Sequence, residues 1–144
     1  MERALGIINF SGNHIWVDGM QDYRPIGAFS FLGRYRVIDF PISNMTNSGI
    51  DQIQVYIQRK PRSLVEHLGT GRQYNINSKR GNLQILFSRD RAENILYKND
   101  VAAFAENMDY IESANCNYVI IAPPYMIYVQ DYSEALESHI QSGA

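Results

Sequence analysis

Short apolar runs alternate with helix-type segments along this chain, and this alternation constrains its fold more than any other feature. The first run, Ala4–Phe10, is apolar and bounded by polar residues, as is typical of a buried strand. Three further runs, Gln52–Gln58, Leu83–Phe87 and Tyr118–Ala122, have strand character, and we expect the last to be buried. Strands that alternate with helices predict a three-layer α/β domain with a mainly parallel sheet.

Proline and glycine mark the first two predicted helices. A helix over 38–47 would have Pro41 in its first turn and Gly49 as its C-terminal stop. Pro61 opens a short second helix over 62–68. The stretch from Ser11 to Leu32, by contrast, is predicted to be a long irregular crossing.

Two more helices are predicted near the end of the chain. Asp100–Ala114 is one continuous helix by its periodicity. Asp131 and Glu134 form a capping box for a last helix over Tyr132–Gln141. The apolar face of the first of these helices consists of Val101, Phe104, Ala105, Met108 and Ile111.

Composition places the chain among ordinary globular proteins. Of its 144 residues, 45% are hydrophobic and 19% are charged. No apolar run approaches the roughly 18 residues of a membrane span, and the N-terminus lacks the pattern of a secretory signal. Cys116 is the single cysteine, and we interpret it as a small buried hydrophobic residue. These features predict a cytoplasmic protein with no membrane partner.

Charge is distributed unevenly, although the net charge is only −2. Eight of the thirteen basic residues lie between Arg59 and Arg91, where only Glu66 and Asp90 oppose them, so this segment carries +6 and the rest −8. Such an excess suits a phosphate-bearing ligand or an acidic partner surface, and a solvated loop is the alternative. The overall acidic balance argues against nucleic acid as a partner.

Ligands of parallel sheets bind at the carboxyl ends of the strands, which here are Phe10, Gln58, Phe87 and Ala122. The turn after the first strand, residues 9–14, has neither a GxGxxG motif nor a Walker A lysine. The generic phosphate-binding signatures are therefore missing where a nucleotide-binding fold would place them.

The segment Gly33–Ile50, GRYRVIDFPISNMTNSGI, resembles the strand-loop-helix entry of the glucose-1-phosphate adenylyltransferases. The resemblance spans nearly the whole chain and is also strong over Tyr118–Ile140. It implies a nucleotidyltransferase-like, Rossmann-like domain. It also implies that residues 1–144 are the truncated N-terminal part of such a domain, without the C-terminal β-helix of the family.

The blocks that resemble the family's substrate contacts depart from its pattern. Of the phosphate-binding turn Gly-Gly-x-Gly-Thr-Arg-Leu only Gly12 remains, and His14 is a partial cation or simply a polar loop residue. Arg24 replaces a lysine, and Asn99 replaces a glycine that approaches the nucleotide. The resemblance thus implies a vestigial nucleotide site at Gly12, His14, Arg24 and Asn99.

The end of the fourth strand departs most clearly. Family members resemble Leu-Ala-Gly-Asp there, and the aspartate is a ligand of catalytic magnesium. This chain has Ile121-Ala122-Pro123-Pro124, with no aspartate between Asp109 and Asp131. Nucleotidyl transfer needs a hard cation held by carboxylates. We therefore expect no metal site, no catalytic residue and no cofactor in this chain, although active relatives use magnesium.

Several arginines and lysines remain that suit an anion. We predict an anionic effector site, for a sugar phosphate or a nucleotide, at Arg34, Arg36, Arg59, Lys79 and Arg80. The alternative for two of the arginines is internal pairing, Arg24 with Asp22 and Arg34 with Asp39.

Loss of the substrate-contacting blocks with retention of the packing blocks resembles a non-catalytic regulatory subunit. The resemblance implies a hetero-oligomer with the catalytic subunit of glucose-1-phosphate adenylyltransferase, acting in glycogen biosynthesis. The alternatives are a weakly active adenylyltransferase, in which Arg24 and His14 compensate, and an unrelated α/β binding module.

Overall fold

The computed structural model describes residues 3–10, 17–20, 24–57, 62–69, 71–74, 76, 81–87 and 100–144. The strands in this part of the chain are β1 (Ala4–Asn9), β2 (Ser30–Phe31), β3 (Tyr35–Arg36), β4 (Gln52–Ile57), β5 (Asn82–Phe87) and β6 (Tyr118–Ala122). The α-helices are α1 (Asp39–Asn47), α2 (Arg62–Leu68), α3 (Asp100–Glu106), α4 (Met108–Ser113) and α5 (Ser133–Ser142). Short 3₁₀-helices lie at Ile26–Ala28 and Arg72–Tyr74.

The four long strands form a parallel sheet in the order β5-β4-β1-β6. In its register Leu5 of β1 lies between Gln52 of β4 and Val119 of β6. β2 and β3 form a separate antiparallel hairpin, which we call the arginine hairpin (residues 30–36). Its turn contains Leu32 and Gly33, with φ of 52° and 72°. The predicted parallel sheet is confirmed.

Helices cover both faces of the sheet, and the buried residues of β1 alternate between them. One core contains Ala4 and Ile8 with Ile42 of α1 and Leu64 of α2. The other contains Leu5 and Ile7 with Ala103 of α3, and half-buried Ile111 of α4 packs against it. The predicted three-layer α/β arrangement is therefore confirmed.

A buried amide lies within the second core. Gln54 of β4 is 1% exposed, and its Nε2 donates to the carbonyl oxygen of Tyr110 at 2.9 Å. Its Oε1 accepts a hydrogen bond from the Tyr56 hydroxyl at 2.7 Å. Because both ends of the amide are bonded, its burial carries no unsatisfied polar group.

The first two predicted helices are confirmed. α1 begins at Asp39, one residue after the predicted start, and Pro41 lies in its first turn, where backbone N–H groups need no intrahelical acceptor. The chain leaves α1 through Gly49 at φ 82°, a conformation that glycine adopts without strain. α2 occupies the predicted residues 62–68.

The predicted single helix over 100–114 is interrupted at Asn107, which separates α3 from α4. Asn107 has φ −107° and ψ 21°, and its side-chain amide donates to the carbonyl oxygen of Ala103 at 2.9 Å. This local bond competes with regular helix geometry. The predicted apolar face is also wrong in part, since Val101, Ala105 and Met108 are exposed.

β6 differs from the prediction of a buried strand. Val119 and Ile121 lie on the same sheet face as Leu5 and Ile7, but they are 45% and 50% exposed. β6 is the edge strand of the described sheet, and the core formed with α3 does not extend over it.

The capping box predicted for the last helix is formed only in part, since Tyr132 is the N-cap residue and no described hydrogen bond joins Glu134 to the start of the helix. α5 begins at Ser133, and the carboxylate of Asp131 accepts a hydrogen bond from the Ser133 N–H at 2.8 Å. This bond and a side-chain contact with Ser133 lower the pKa of Asp131. Among the described residues, no helix has both the length and the apolar character that a membrane span needs.

The crossing predicted from Ser11 to Leu32 is described only in part. Residues 17–20 form a turn, and the second half contains the 3₁₀-helix Ile26–Ala28 and the start of the arginine hairpin. Residues 11–16 and 21–23 lie outside the described part of the chain.

Gly6 provides a test of the packing between β1 and α1. A Cβ atom at this position would lie 2.5 Å from Met45 Sδ and 3.4 Å from Ile50 Cγ2. Because Met45 is fully buried, we expect Gly6→Ala to lower the free energy of unfolding by about 1–3 kcal/mol, measured by urea denaturation.

The control for this prediction is the same substitution in a Met45→Ala background. Met45→Ala alone should cost about 2–5 kcal/mol because it leaves a cavity. The added methyl group of Gly6→Ala should then cost close to nothing, since the clashing sulfur is gone. Strictly additive effects of the two substitutions would contradict the proposed clash.

Candidate functional site

The carboxyl edge of the parallel sheet is the place where a fold of this kind binds ligands. Of the four loops that leave this edge, the one after β6 is described throughout. Residues 11–16 after β1, 58–61 after β4 and 88–99 after β5 lie outside the described part of the chain. The geometry of the site is therefore built from the ends of β1 and β6 and from the elements that pack against them.

An aromatic ring fills the space between β1 and the Ile26–Ala28 turn. Phe10 follows β1, and a Cβ atom added to Gly27 would lie 2.5 Å from Phe10 Cζ. The carbonyl oxygen of Pro124 would lie 3.4 Å from the same added atom. Gly27 thus allows Phe10 and the loop after β6 to approach closely, and apolar packing occupies this part of the edge.

The loop after β6 continues this packing. Pro124 is buried, and Tyr125 packs against a small core formed by Ile26, Phe29 and Val37. Neither proline nor tyrosine supplies a carboxylate oxygen, which is the ligand that magnesium prefers. The end of β6 therefore does not fit a magnesium ion. The described residues also contain no cluster of three His, Cys, Asp or Glu side chains suited to a metal.

A polar contact lies at the same edge, beside Phe10. The side-chain amide of Asn9, which is 5% exposed, donates to Asp100 Oδ1 at 2.6 Å. Asp100 is the first residue of α3, so this bond fixes the start of α3 against the end of β1. A negative charge in this place disfavours a nucleotide phosphate.

The predicted site residues fall into two groups. Those outside the described part of the chain, whose roles stay predictions, are Gly12, His14, Asn99, Arg59, Lys79 and Arg80. The described ones are Arg24, Arg34 and Arg36. The arginine hairpin brings Arg34 and Arg36 together on one strand and its turn, while Arg24 lies on the segment before it.

These three arginines differ in exposure. Arg24 and Arg34 are exposed, whereas Arg36 is half-buried. One guanidinium nitrogen of Arg36, Nη1, donates to the carbonyl oxygen of Ala28 at 2.8 Å. This bond holds the guanidinium of Arg36 against the Ile26–Ala28 turn, whereas the side chain of Arg34 is exposed to solvent.

Asp39 is the centre of a buried hydrogen-bond network at the start of α1. Its Oδ2 accepts the backbone N–H of Arg36 at 2.8 Å. Its Oδ1 lies 2.6 Å from His67 Nε2 and accepts the Tyr74 hydroxyl at 2.5 Å. The alternative pairing of Arg34 with Asp39 is wrong, because the ion-pair partner of Asp39 among the described residues is His67, and the Arg34 side chain is exposed. Pairing of Arg24 with Asp22 involves a residue outside the described part.

Three elements converge on this carboxylate. His67 is in the last turn of α2, and Tyr74 ends the 3₁₀-helix Arg72–Tyr74. The side-chain amide of Gln73 donates to the carbonyl oxygen of His67 at 2.7 Å and so joins these two elements. The negative charge of Asp39 also lies in the first turn of α1, where the helix dipole stabilises it.

Burial raises the pKa values of two groups, one in this network and one elsewhere. Burial, followed by the hydrogen bond to Asp39 and its negative charge, raises the pKa of Tyr74 well above its ordinary value. The hydroxyl therefore stays protonated and remains a donor to Asp39. Elsewhere, burial raises the pKa of the Cys116 thiol, and this side chain, which we interpreted as buried, is half-buried and packs against the second core.

The fold and this edge define an α/β nucleotidyltransferase architecture. The structure superposes on a crystal structure titled as a putative glucose-1-phosphate thymidylyltransferase from Bacillus anthracis, in complex with a sucrose. The TM-score is 0.72 at 16% identity, and the match covers 96% of this chain and 50% of the other.

Residues 22–144 match the sequence model of the nucleotidyl transferase family, and the chain belongs to this family. It is 40% identical over 144 residues to a glucose-1-phosphate adenylyltransferase of Roseobacter denitrificans. It is 33% identical over 147 residues to the glycogen biosynthesis protein GlgD of Geobacillus stearothermophilus. The chain covers 34% and 41% of these two relatives. The resemblance to this family that the sequence suggested is thus confirmed.

Sequence patterns did not indicate the Asp39 network. His67 and Tyr74 lie 28 and 35 residues from Asp39, and no motif spacing relates them. Asn9 likewise gave no sign of its contact with Asp100, which is 91 residues away. A faint signal for the network was Asp39 itself, an acidic residue at the predicted start of a helix.

Tyr74→Phe tests the network through the pH dependence of stability. Removing the hydroxyl should lower the free energy of unfolding near pH 8 by about 1.5–3 kcal/mol, because the acceptor is charged. Above pH 10 the unfolded chain loses the Tyr74 proton while the folded protein retains it, so wild-type stability falls as pH rises. This single group contributes about 1.4 kcal/mol per pH unit.

Urea denaturation at pH 8, 10 and 11 measures the difference. The variant should lose less stability than the wild type between pH 10 and 11, since it lacks this group. Tyr35→Phe, at an exposed position on the arginine hairpin, is the matched control and should follow the wild type. Parallel curves for Tyr74→Phe and the wild type would show that Tyr74 is not held as described.

Proposed function

We propose that this protein is a non-catalytic regulatory subunit of glucose-1-phosphate adenylyltransferase. It modulates the synthesis of ADP-glucose for glycogen biosynthesis through contacts within a hetero-oligomer. Its partner is the catalytic subunit, and its cellular location is the cytoplasm. Residues 1–144 form the N-terminal part of the sugar-nucleotide transferase-like domain, and the family's β-helix lies outside them.

The observation that carries this proposal is the end of β6. A catalytic nucleotidyltransferase needs an anionic oxygen there to hold a divalent cation against the phosphates. Pro123 and Pro124 stand in its place, and the loop packs on Ile26, Phe29 and Val37. Packing of this kind preserves the scaffold while removing the chemistry.

The relatives support the pathway assignment. One is named as a glycogen biosynthesis protein and others as glucose-1-phosphate adenylyltransferase. The first name gives the pathway and the second gives an activity, and a chain with the packing residues but no carboxylate at the end of β6 suits an accessory role in that pathway.

The exposed arginines support regulation by an anion. Arg34 is exposed beside the anchored Arg36, and together they present positive charge on the arginine hairpin. A sugar phosphate or nucleotide is the effector class that such charges would bind. Arg59, Lys79 and Arg80 complete this proposed effector site, and Gly12, His14, Arg24 and Asn99 are the vestige of the nucleotide site.

A weakly active adenylyltransferase is the second candidate. The identity of 40% to a relative named as the enzyme favours it. In that case Arg24 and His14 would supply the charge that the phosphate-binding turn lacks.

Addition of this protein to the catalytic subunit tests the regulatory role. We expect the concentration of effector needed for half-maximal activation, or the maximal rate of ADP-glucose synthesis, to change by about five-fold or more, a typical coupling free energy. The change should saturate at a fixed ratio of the two subunits. An equal amount of additional catalytic subunit is the control, and identical kinetics in both samples would refute the role.

Activity of the protein alone separates the two candidates. With ATP, magnesium and glucose 1-phosphate we expect no ADP-glucose, because the end of β6 supplies no carboxylate. Synthesis above the rate of an enzyme-free control would favour the weakly active enzyme. That result would not by itself exclude an effect on a partner, which the mixing experiment measures separately.

A further inference from the structure

We propose that Asp39 is a positioning residue that couples the arginine hairpin to α2 and to the 3₁₀-helix Arg72–Tyr74. The inference rests on the proposed function only where it concerns an effector. The coupling itself follows from the hydrogen bonds around this carboxylate.

The carboxylate is nearly enclosed by protein. The side chains of Asp39 and His67 are 13% and 16% exposed, and Tyr74 is 7% exposed. All three donors to Asp39 come from different elements: Arg36 from β3, His67 from α2 and Tyr74 from the 3₁₀-helix. A carboxylate in this position joins elements to one another and is not free to bind a ligand.

Each oxygen of the carboxylate bonds in a different direction. Oδ2 faces the arginine hairpin through the N–H of Arg36, and Oδ1 faces His67 and Tyr74. A displacement of α2 that pulls on Oδ1 therefore rotates the carboxylate and weakens its bond to Arg36. Because buried hydrogen bonds to a charged group are strong, the position of α2 and the position of the arginine hairpin are coupled through this carboxylate.

The linkage connects the arginine hairpin to a segment that is basic in sequence. Arg34 and Arg36 lie on the arginine hairpin, and the segment of high positive charge, residues 59–91, includes α2 and the 3₁₀-helix. Within the described residues, Asp39 is hydrogen-bonded to the hairpin and to both of these elements. An anion bound by the arginines of the hairpin would therefore be coupled through Asp39 to α2.

Hydrogen exchange measured by mass spectrometry tests the coupling without any ligand. His67→Ala removes the hydrogen bond between α2 and Asp39, and neither described hydrogen bond of His67 reaches the arginine hairpin. We nevertheless expect amide exchange in residues 30–37 to become about five-fold faster or more, the factor that corresponds to a typical coupling free energy. Asp39→Asn should do the same, because an amide must point its NH₂ group at one of three donors.

Two variants separate positioning from general destabilisation. His67→Gln, whose amide nitrogen takes the approximate place of Nε2, should restore slow exchange in the hairpin. Gly6→Ala destabilises the core from a position outside the network and should leave the difference between hairpin and core exchange unchanged. If His67→Ala leaves hairpin exchange as in the wild type, or Gly6→Ala reproduces its pattern, the inference is overturned.

Calorimetric titration with glucose 6-phosphate separates this inference from the proposed function. If the effector site is real, Arg34→Ala and the Lys79→Ala/Arg80→Ala double variant should weaken binding, and His67→Ala should weaken it by about five-fold or more. If the wild-type protein does not bind glucose 6-phosphate but shows the coupled hydrogen exchange, the coupling is supported and glucose 6-phosphate is excluded as the effector. Binding that is lost in Arg34→Ala but unchanged in His67→Ala would overturn the coupling of α2 to an anion bound at the arginine hairpin.

Discussion

Burial of β1 on both faces is the constraint on which the rest of the structure depends. Every residue of this strand is buried, and its neighbours β4 and β6 pair with it in parallel along its length. Parallel pairing requires a crossover between strands, and the helices of these crossovers are what cover the two faces. The close approach of Met45 to Gly6 follows from this burial, since the space at Gly6 holds a hydrogen atom but no Cβ atom.

Much of the fold was predictable because strands and helix ends depend on local sequence patterns. Apolar runs gave the four parallel strands, and Pro41 and Gly49 marked the limits of α1 within one or two residues. The interruption at Asn107 was not predictable, because periodicity describes a face and not a side chain that bonds to its own helix. The exposure of Val119 and Ile121 was missed because a continuous apolar run predicts burial on both faces, and a local pattern does not show whether a helix covers each face.

For the candidate site, the sequence allowed us to predict only which ligand-binding residues are missing. A missing carboxylate after β6 is visible in the sequence, whereas the packing that replaces it, with Phe10 over Gly27 and Tyr125 on a small core, depends on tertiary contacts. The Asp39 network shows the same limit, since its partners come from distant parts of the chain. Residue types identified which chemistry is absent, and only the fold showed which groups have been brought together instead.

The amide of Gln54 has a consequence for the precision of the sheet. An apolar side chain in this core would accept α4 in several neighbouring orientations, because dispersion contacts have little directionality. The amide of Gln54 donates to the carbonyl of Tyr110 and accepts from the hydroxyl of Tyr56. A rotation or a one-residue shift of α4 would therefore leave a buried amide group without its hydrogen-bond partner. The hydrogen bonds of Gln54 therefore favour one orientation and one register of α4 against the sheet.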